Sequence, residues 1–392
     1  MKLGLYNHLS EFVPFVSDAR SSLLIGKPKT GKSTTLIRLA LDSIYENKPI
    51  VFFDPRGSAV DEILKHIPNS RQKDVLYFNP SLYPFPFNIL YDVQEKALFT
   101  TTVLETVKGV WGYDKTPTPN IDQYIRAGIA TLLEYPSTLL DLKFLLTDTD
   151  YRTHVLNHVT DCLLKDFWHD FEKMTDKEQR QETASTLNKI RAFIFEPLVR
   201  NCIDQQKNKL SFTDTIVLVS LKDGELGAEN ASLLGALILA QLYVDGVRGL
   251  PTTLFIDGAH RFGTAILGNI LTNCPNVETH LTLQYLDQLS RDFQPTLLGS
   301  VEQIIAFKTS VRDAKILEPE FDLTNDQRHL FELHPFTAYV GSTLIHTVPH
   351  NYMIPKKPRN TKKAVQQRII DRCKALSGSR EEIEKRLGRF FE

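Results

Sequence analysis

Cysteine is scarce in this 392-residue chain, and its few copies form no cluster. Cys162, Cys202, Cys274 and Cys373 stand far apart, with no CxxC pair and no Cys/His group, which argues against a disulfide framework and against a zinc site. Reduced thiols of this kind fit a cytoplasmic protein. An excess of one charge is lacking too. The formal net charge is -1, so any nucleic-acid contact has to come from a local patch rather than from the whole surface. Long apolar runs are missing as well. The longest, Leu233 to Val244, carries Gln241 and falls well short of the roughly 20 residues that span a bilayer, so it reads as a buried helix and no direct membrane insertion is expected. The amino terminus has neither a long apolar run nor a small-residue cleavage site, as a secretory signal would. Internal repeats and low-complexity blocks are absent.

Hydrophobic residues at 42% and charged residues at 24% suit a globular chain, and the length exceeds what one growing core supports. Two structural units are therefore expected. Ser21 to Ile25 is a short apolar run before a glycine-containing loop, and Thr34 to Tyr45 continues at helical spacing. Ile50 to Phe53 reads as a buried strand ending at Asp54-Pro55-Arg56-Gly57, with helical periodicity from Val60 to Ile67 and a third strand at Val75 to Phe78. Such βαβα alternation builds a parallel sheet. The stretch Asn79 to Asn88 is too rich in proline for a regular helix. Helical patterns then fill Ala97 to Val110, Ile121 to Leu133, Tyr151 to Glu172 and Glu182 to Phe195. Strand patterns return at Thr215 to Leu221, Thr252 to Ile256, Thr279 to Leu283 and Gln303 to Phe307, with a helix from Ala228 to Val244 between the first two. The expected division is an α/β core of residues 1–92 and 206–355, a helical insertion of residues 93–205, and a basic linker with a charged helix over residues 356–392.

Gly26-Lys27-Pro28-Lys29-Thr30-Gly31-Lys32-Ser33, followed by Thr34, is a phosphate-binding loop between a strand and a helix. Its glycines let backbone N–H groups wrap phosphates, Lys32 reaches the outer ones, and Ser33 offers a hydroxyl to Mg²⁺. ATP with Mg²⁺ is the expected ligand. Thr252 to Asp257 is an apolar run ending in a carboxylate, the form that holds Mg²⁺ through water. A turn aspartate with only a capping role is the other reading of Asp257.

These motifs, together with Phe53-Asp54-Pro55-Arg56-Gly57, Phe78-Asn79-Pro80 with Phe87-Asn88, and Leu283-Gln284-Tyr285-Leu286-Asp287-Gln288-Leu289, occur in one order along the chain. Phe307 with Asp313-Ala314 and the Leu330 to Val340 segment extend the series. The series resembles the HerA/FtsK class of P-loop translocases, in the branch of type IV secretion and conjugative coupling ATPases, over nearly the whole length. The resemblance implies a RecA-like core assembling as a homo-oligomeric ring, commonly a hexamer, that moves DNA at the expense of ATP. It also makes Gln284 the polar sensor of the third phosphate. A strand-end glutamine bonded only to backbone is the alternative.

Two departures stand out. The family places Glu directly after the metal-side aspartate to polarise the attacking water, whereas this chain reads Asp257-Gly258-Ala259-His260. Glycine orients no water, so hydrolysis should be slow unless Asp54 or His260 substitutes. A nucleotide-binding scaffold or assembly subunit with weak or no hydrolysis is the competing function, and a motor acting on protein a third. The family's amino-terminal membrane helices or β-barrel have no counterpart in Met1 to Ile25, so any membrane attachment is expected through a partner protein. For the arginine that ring ATPases supply from a neighbouring subunit, Arg191, Arg200, Arg261 and Arg312 are candidates. Lys356, Lys357, Arg359, Lys362, Lys363 and Arg368 offer phosphate contacts to DNA or form a solvated linker. Trp111, Tyr113, Trp168 and Phe171 sit in helical patterns, as core aromatics do.

Overall fold

The computed structural model describes residues 2–8, 11–113, 116–262, 264–323, 329–347 and 359–378. Lys356, Lys357 and the charged tail expected from Arg380 to Phe391 lie outside them. The chain forms two compact units: residues 1–78, 212–222 and 245–372 make one, and residues 79–211, 223–244 and 373–392 the other.

The first unit is built on an 11-stranded sheet. Its strands in chain order are β1 (Lys2–His8), β2 (Glu11–Val16), β3 (Ser21–Ile25), β4 (Ile50–Asp54), β5 (Val75–Phe78), β6 (Ile216–Ser220), β7 (Thr252–Ile256), β8 (Val277–Leu283), β9 (Gln303–Ala306), β10 (Thr337–Val340) and β11 (Thr343–His346). Across the sheet they run β2-β1-β11-β10-β9-β3-β8-β7-β4-β6-β5. Strands β9, β3, β8, β7, β4, β6 and β5 are mutually parallel. The other four continue the sheet antiparallel from β9. The parallel strands are apolar without alternation because both faces are covered: β4, β6 and β7 are buried at every position. Helix α1 (Lys32–Tyr45) follows β3, and α2 (Ser58–Leu64) follows β4. This is a mainly parallel RecA-like core, as expected from the motif order.

The antiparallel extension is new relative to the sequence reading. Gly341 and Ser342 join β10 to β11 as a two-residue hairpin turn, with Gly341 at φ 54. In the second unit, the single helix expected from Tyr151 to Glu172 is two helices, Thr149–Leu156 and Cys162–Glu172. The break falls at Asp161, whose carboxylate caps the second helix by accepting the Leu163 N–H at 2.8 Å. Trp168 and Phe171 are buried there, edge to face, and the Trp168 indole N–H donates to Thr131 at 2.8 Å. The helix Ala228–Val247 is long and apolar enough to cross a membrane by length and composition, yet 72% of its apolar window is buried. It is a core helix. The basic segment turns helical at Arg359, in a helix running to Ala375 on which Lys363 and Arg368 are exposed.

Candidate nucleotide-binding site

Ligands of parallel α/β sheets sit beyond the carboxyl ends of the strands. In the first unit the carboxyl ends of β3, β4, β7 and β8 border a cleft of about 240 Å³. It is lined by loop residues Pro28, Lys29, Gly31, Lys32, Ser33 and Thr34. Pro55 and Arg56 enter from the turn after β4, Asp257, Gly258, His260 and Arg261 from the turn after β7, and Thr282 and Gln284 from the end of β8.

The loop is held by the surrounding backbone. Gly26 N–H donates to the Leu283 carbonyl at 3.2 Å and Lys27 N–H to that of Lys308 at 2.7 Å. Thr30 is fixed twice: its hydroxyl donates to the Lys27 carbonyl at 2.8 Å, and its own carbonyl accepts the Phe336 N–H at 2.7 Å. Lys29 at φ 63 and Gly31 at φ 115 take left-handed backbone, which bends the chain sharply before α1. Gly31 also permits close approach, since a Cβ there would meet the Phe336 ring at 3.0 Å. No side chain caps α1, so its first-turn N–H groups face the cleft as an anion site. Lys32 Nζ donates to the Gly26 and Lys27 carbonyls, the latter at 2.7 Å. Burial brings its ammonium down to about 8, with the Asp257 charge opposing the fall and Arg56 adding to it.

Ser33 and Asp257 meet here. The Ser33 hydroxyl donates to Asp257 Oδ2 at 2.9 Å. Thr282 on β8 completes the support: its hydroxyl donates to Asp257 Oδ1 at 2.6 Å and accepts the Gly258 N–H at 2.8 Å. A hydroxyl beside a carboxylate, within reach of the phosphate loop, is the hard-oxygen donor set that suits Mg²⁺. The uncapped helix end with Lys32, Arg56 and Arg261 suits a polyphosphate. Thr282 escaped the sequence reading, and Arg56 stands in it only as part of a motif, with no role of its own. Thr282 looks there like one more β-former in a buried strand, and only its position two residues before Gln284 hints at a role.

Asp54 and His260 are placed differently. Asp54 is buried, and its carboxylate is used by the backbone: Oδ1 accepts the Arg56 N–H at 2.9 Å, and Oδ2 those of Ala59 at 2.6 Å and Val60 at 3.1 Å. It organises the turn and first turn of α2 and does not line the cleft. Burial pushes its carboxyl up, against the pull of these N–H donors and with Asp257 adding to the rise. His260 does line the cleft, and its Nε2 lies 3.2 Å from the Gln288 side-chain amide. Burial, then Arg261 and Arg56, hold its imidazole below the ordinary value, against Asp257.

Gly258 sits at φ 75 and ψ 57, in the left-handed region. The turn that would carry the family's glutamate is thus shaped for a glycine. Among the described lining residues Asp257 is the one carboxylate. Of the arginine candidates, Arg261 lines this same chain's cleft, Arg312 pairs with Asp287 at 2.5 Å, and Arg191 and Arg200 belong to the second unit.

Fold and cleft together show a RecA-like P-loop NTPase fold. Solved structures of this fold include the bacterial conjugative coupling protein TrwBdeltaN70 in its unbound monoclinic form, with a TM-score of 0.59 at 16% identity over 86% of this chain and 85% of that one. TrwB in complex with ADP and Mg²⁺ gives 0.58 at 18% identity, covering 89% and 90%. VirB4 of Thermoanaerobacter pseudethanolicus gives 0.58 at 14% identity, covering 92% and 98%. The motif-based resemblance to coupling and secretion ATPases is therefore matched by the fold. Neither a protein-family model nor a curated protein matches the sequence.

Proposed function

We propose that this chain is an ATP-driven motor of the coupling-protein kind, which binds ATP with Mg²⁺, works as a homo-oligomeric ring, commonly a hexamer, and moves DNA in conjugation or secretion. The observation that carries the reading is the meeting of Ser33 and Asp257 in a cleft that Lys32 and Gln284 also line, on a fold shared with TrwB and VirB4. The loop from Gly26 to Thr34 cradles the phosphates, and Lys32 supplies the buried positive charge. Ser33 and Asp257 would hold the ion, Asp257 through water. Mg²⁺, when bound, draws charge off the phosphates. Gln284 is then the side chain available to orient water at the third phosphate, which makes turnover slow. The cytoplasm is the compartment this role implies, with a membrane or secretion protein as partner.

A second reading rests on Gly258. With no glutamate and a backbone shaped for glycine, the chain would serve as a nucleotide-gated scaffold that binds ATP and scarcely turns it over. One assay separates the two: ATP hydrolysis with and without duplex or single-stranded DNA at low salt, for the parent, Lys32→Ala and Gly258→Glu. Slow hydrolysis stimulated by DNA and abolished by Lys32→Ala supports the motor. Tight ATP binding without turnover in any condition supports the scaffold, and absence of DNA binding at low salt removes the DNA part.

A further inference from the structure

One side-chain amide bridges the turn after β7 and the loop after β8. Gln288 Oε1 accepts the backbone N–H of Gln284 at 2.7 Å and that of Tyr285 at 3.3 Å. Two N–H donors identify that atom as the oxygen, so the other end of the amide can only donate. Its partner, at 3.2 Å, is His260 Nε2. That nitrogen must then be the acceptor, which makes the imidazole neutral with its proton on Nδ1. The charges around the ring agree with a neutral state: Arg261 on its own turn and Arg56 from the turn after β4 oppose a further positive charge, and Asp257 offsets them only in part.

The far side of the same loop is pinned separately. Leu286 N–H donates to Asp313 Oδ1 at 3.3 Å, and Asp313 accepts the Ser310 hydroxyl at 2.8 Å. Gln288 is the member that reaches back to the turn carrying Asp257. His260 and Gln284 both line the cleft, at the ends of the neighbouring strands β7 and β8, and Gln288 joins them.

We propose that His260 and Gln288 are a positioning pair that fixes Gln284, the group reading the third phosphate, relative to the turn that carries the metal-side carboxylate. The inference rests on the reading of this cleft as a triphosphate site. Its physical content is a short lever. The Gln284 side chain starts from a peptide whose N–H is held by Gln288, and Gln288 is aimed by His260. A displacement of the turn by about 1 Å takes a hydrogen bond near its outer limit beyond it and frees the Gln284 peptide to rotate. The same geometry removes His260 from the role of general base. Its Nε2 lone pair is engaged by Gln288, and its Nδ1 already carries the proton.

The test compares affinities for Mg²⁺-ADP and for a non-hydrolysable Mg²⁺-ATP analogue, by calorimetry on the full chain. In His260→Phe the ratio of analogue affinity to ADP affinity falls about fivefold to tenfold, the scale of one lost hydrogen bond, and in Gln288→Leu, which also releases the Gln284 and Tyr285 N–H groups, it falls at least as far. ADP affinity, set by the phosphate loop, stays within about twofold of the parent. The double variant falls no further than Gln288→Leu alone, because His260 acts on Gln284 only through Gln288. His260→Gln keeps an acceptor and retains the parental ratio. An unchanged ratio in the single variants, additive losses, or equal weakening of both nucleotides would overturn the pairing. If the parent binds neither nucleotide, with Lys32→Ala indistinguishable from it, the triphosphate reading itself falls and takes this inference with it.

Discussion

Ser33 and Asp257 lie 224 positions apart in sequence and are joined by a hydrogen bond of 2.9 Å. The bond ties the first turn of α1 to the end of β7 across β8, the strand between β3 and β7 in the sheet. Because Thr282 on β8 holds the other oxygen of Asp257, helix α1 and strand β8 both bond to the carboxylate at the end of β7. Its position is a property of the fold rather than of a loop.

Thr282→Val tests that convergence. The substitution keeps the shape of the side chain and removes its hydroxyl, so the Gly258 N–H loses its acceptor and Asp257 loses a donor. Stability is expected to fall by about 1–3 kcal/mol, the cost of a buried polar group left unpaired. The Mg²⁺ concentration needed for half-maximal nucleotide binding should rise several-fold while metal-free nucleotide binding holds steady. Urea unfolding and Mg²⁺ titrations read the two effects.

Lys32 gives the cleft a pH dependence. In the proposed function a triphosphate binds the charged ammonium, and burial brings that ammonium down to about 8. Affinity is therefore full below that value and declines as the pH rises through it, by about tenfold one pH unit above. Lys32→Arg stays charged over this range and should lose the decline. For folding the sign is opposite. Between about 8 and the ordinary 10.5, the unfolded chain holds a proton that the folded one has released, so Lys32 makes stability rise with pH there. Fluorescent-nucleotide titrations and unfolding curves on both sides of the folded-state value separate the two trends.

Asp54→Asn is expected to act on stability. An amide cannot accept with both of its ends, so at least one of the N–H bonds that shape the start of α2 is lost. The expected cost is about 1–2 kcal/mol, as for a lost helix cap. ATP turnover per folded molecule should match the parent, whereas a general base at this position would instead give a large fall in turnover at unchanged stability.

Gly258→Ala isolates the backbone. An added Cβ would meet nothing closer than the His260 ring at 3.7 Å, so space is not the constraint. The left-handed φ is, and it should cost about 1–2 kcal/mol. Gly258→Asn should cost less, since asparagine tolerates this region better. If both variants unfold at the parental urea concentration, the turn does not depend on glycine.

Much of this architecture was legible in the sequence because its signals are local. Short β-branched and aromatic runs such as Ile50 to Phe53 and Thr252 to Ile256, bounded by turn residues, read as covered strands, and the phosphate loop, Asp257 and Gln284 each sit where such a strand ends. What was not legible depends on pairing across long separations. Strands β10 and β11 have four residues each, and the hydrogen-bonded neighbours of β1, β2, β10 and β11 are chosen by the rest of the sheet. Even so, Gly341-Ser342 between two β-rich stretches was an available hairpin signal. The long helix drawn from Tyr151 to Glu172 overlooked Asp161 as a cap. In the cleft, Thr282 and the bridge from His260 to Gln288 carry no motif of their own. Asp54 reads in the sequence as a substitute base, whereas its hydrogen bonds in the structure are to the N–H groups of Arg56, Ala59 and Val60.

Phe336 has one more consequence. It stands at φ 62 while lending its N–H to Thr30, and its ring covers Gly31, so the phosphate loop is braced from the start of β10. Bracing of this kind takes conformational freedom from the loop when the protein folds, so that the triphosphate of the proposed function would have less disorder to remove from it. Association should accordingly resemble docking onto a rigid template, with a rate governed by diffusion into the cleft rather than by a search among loop conformations.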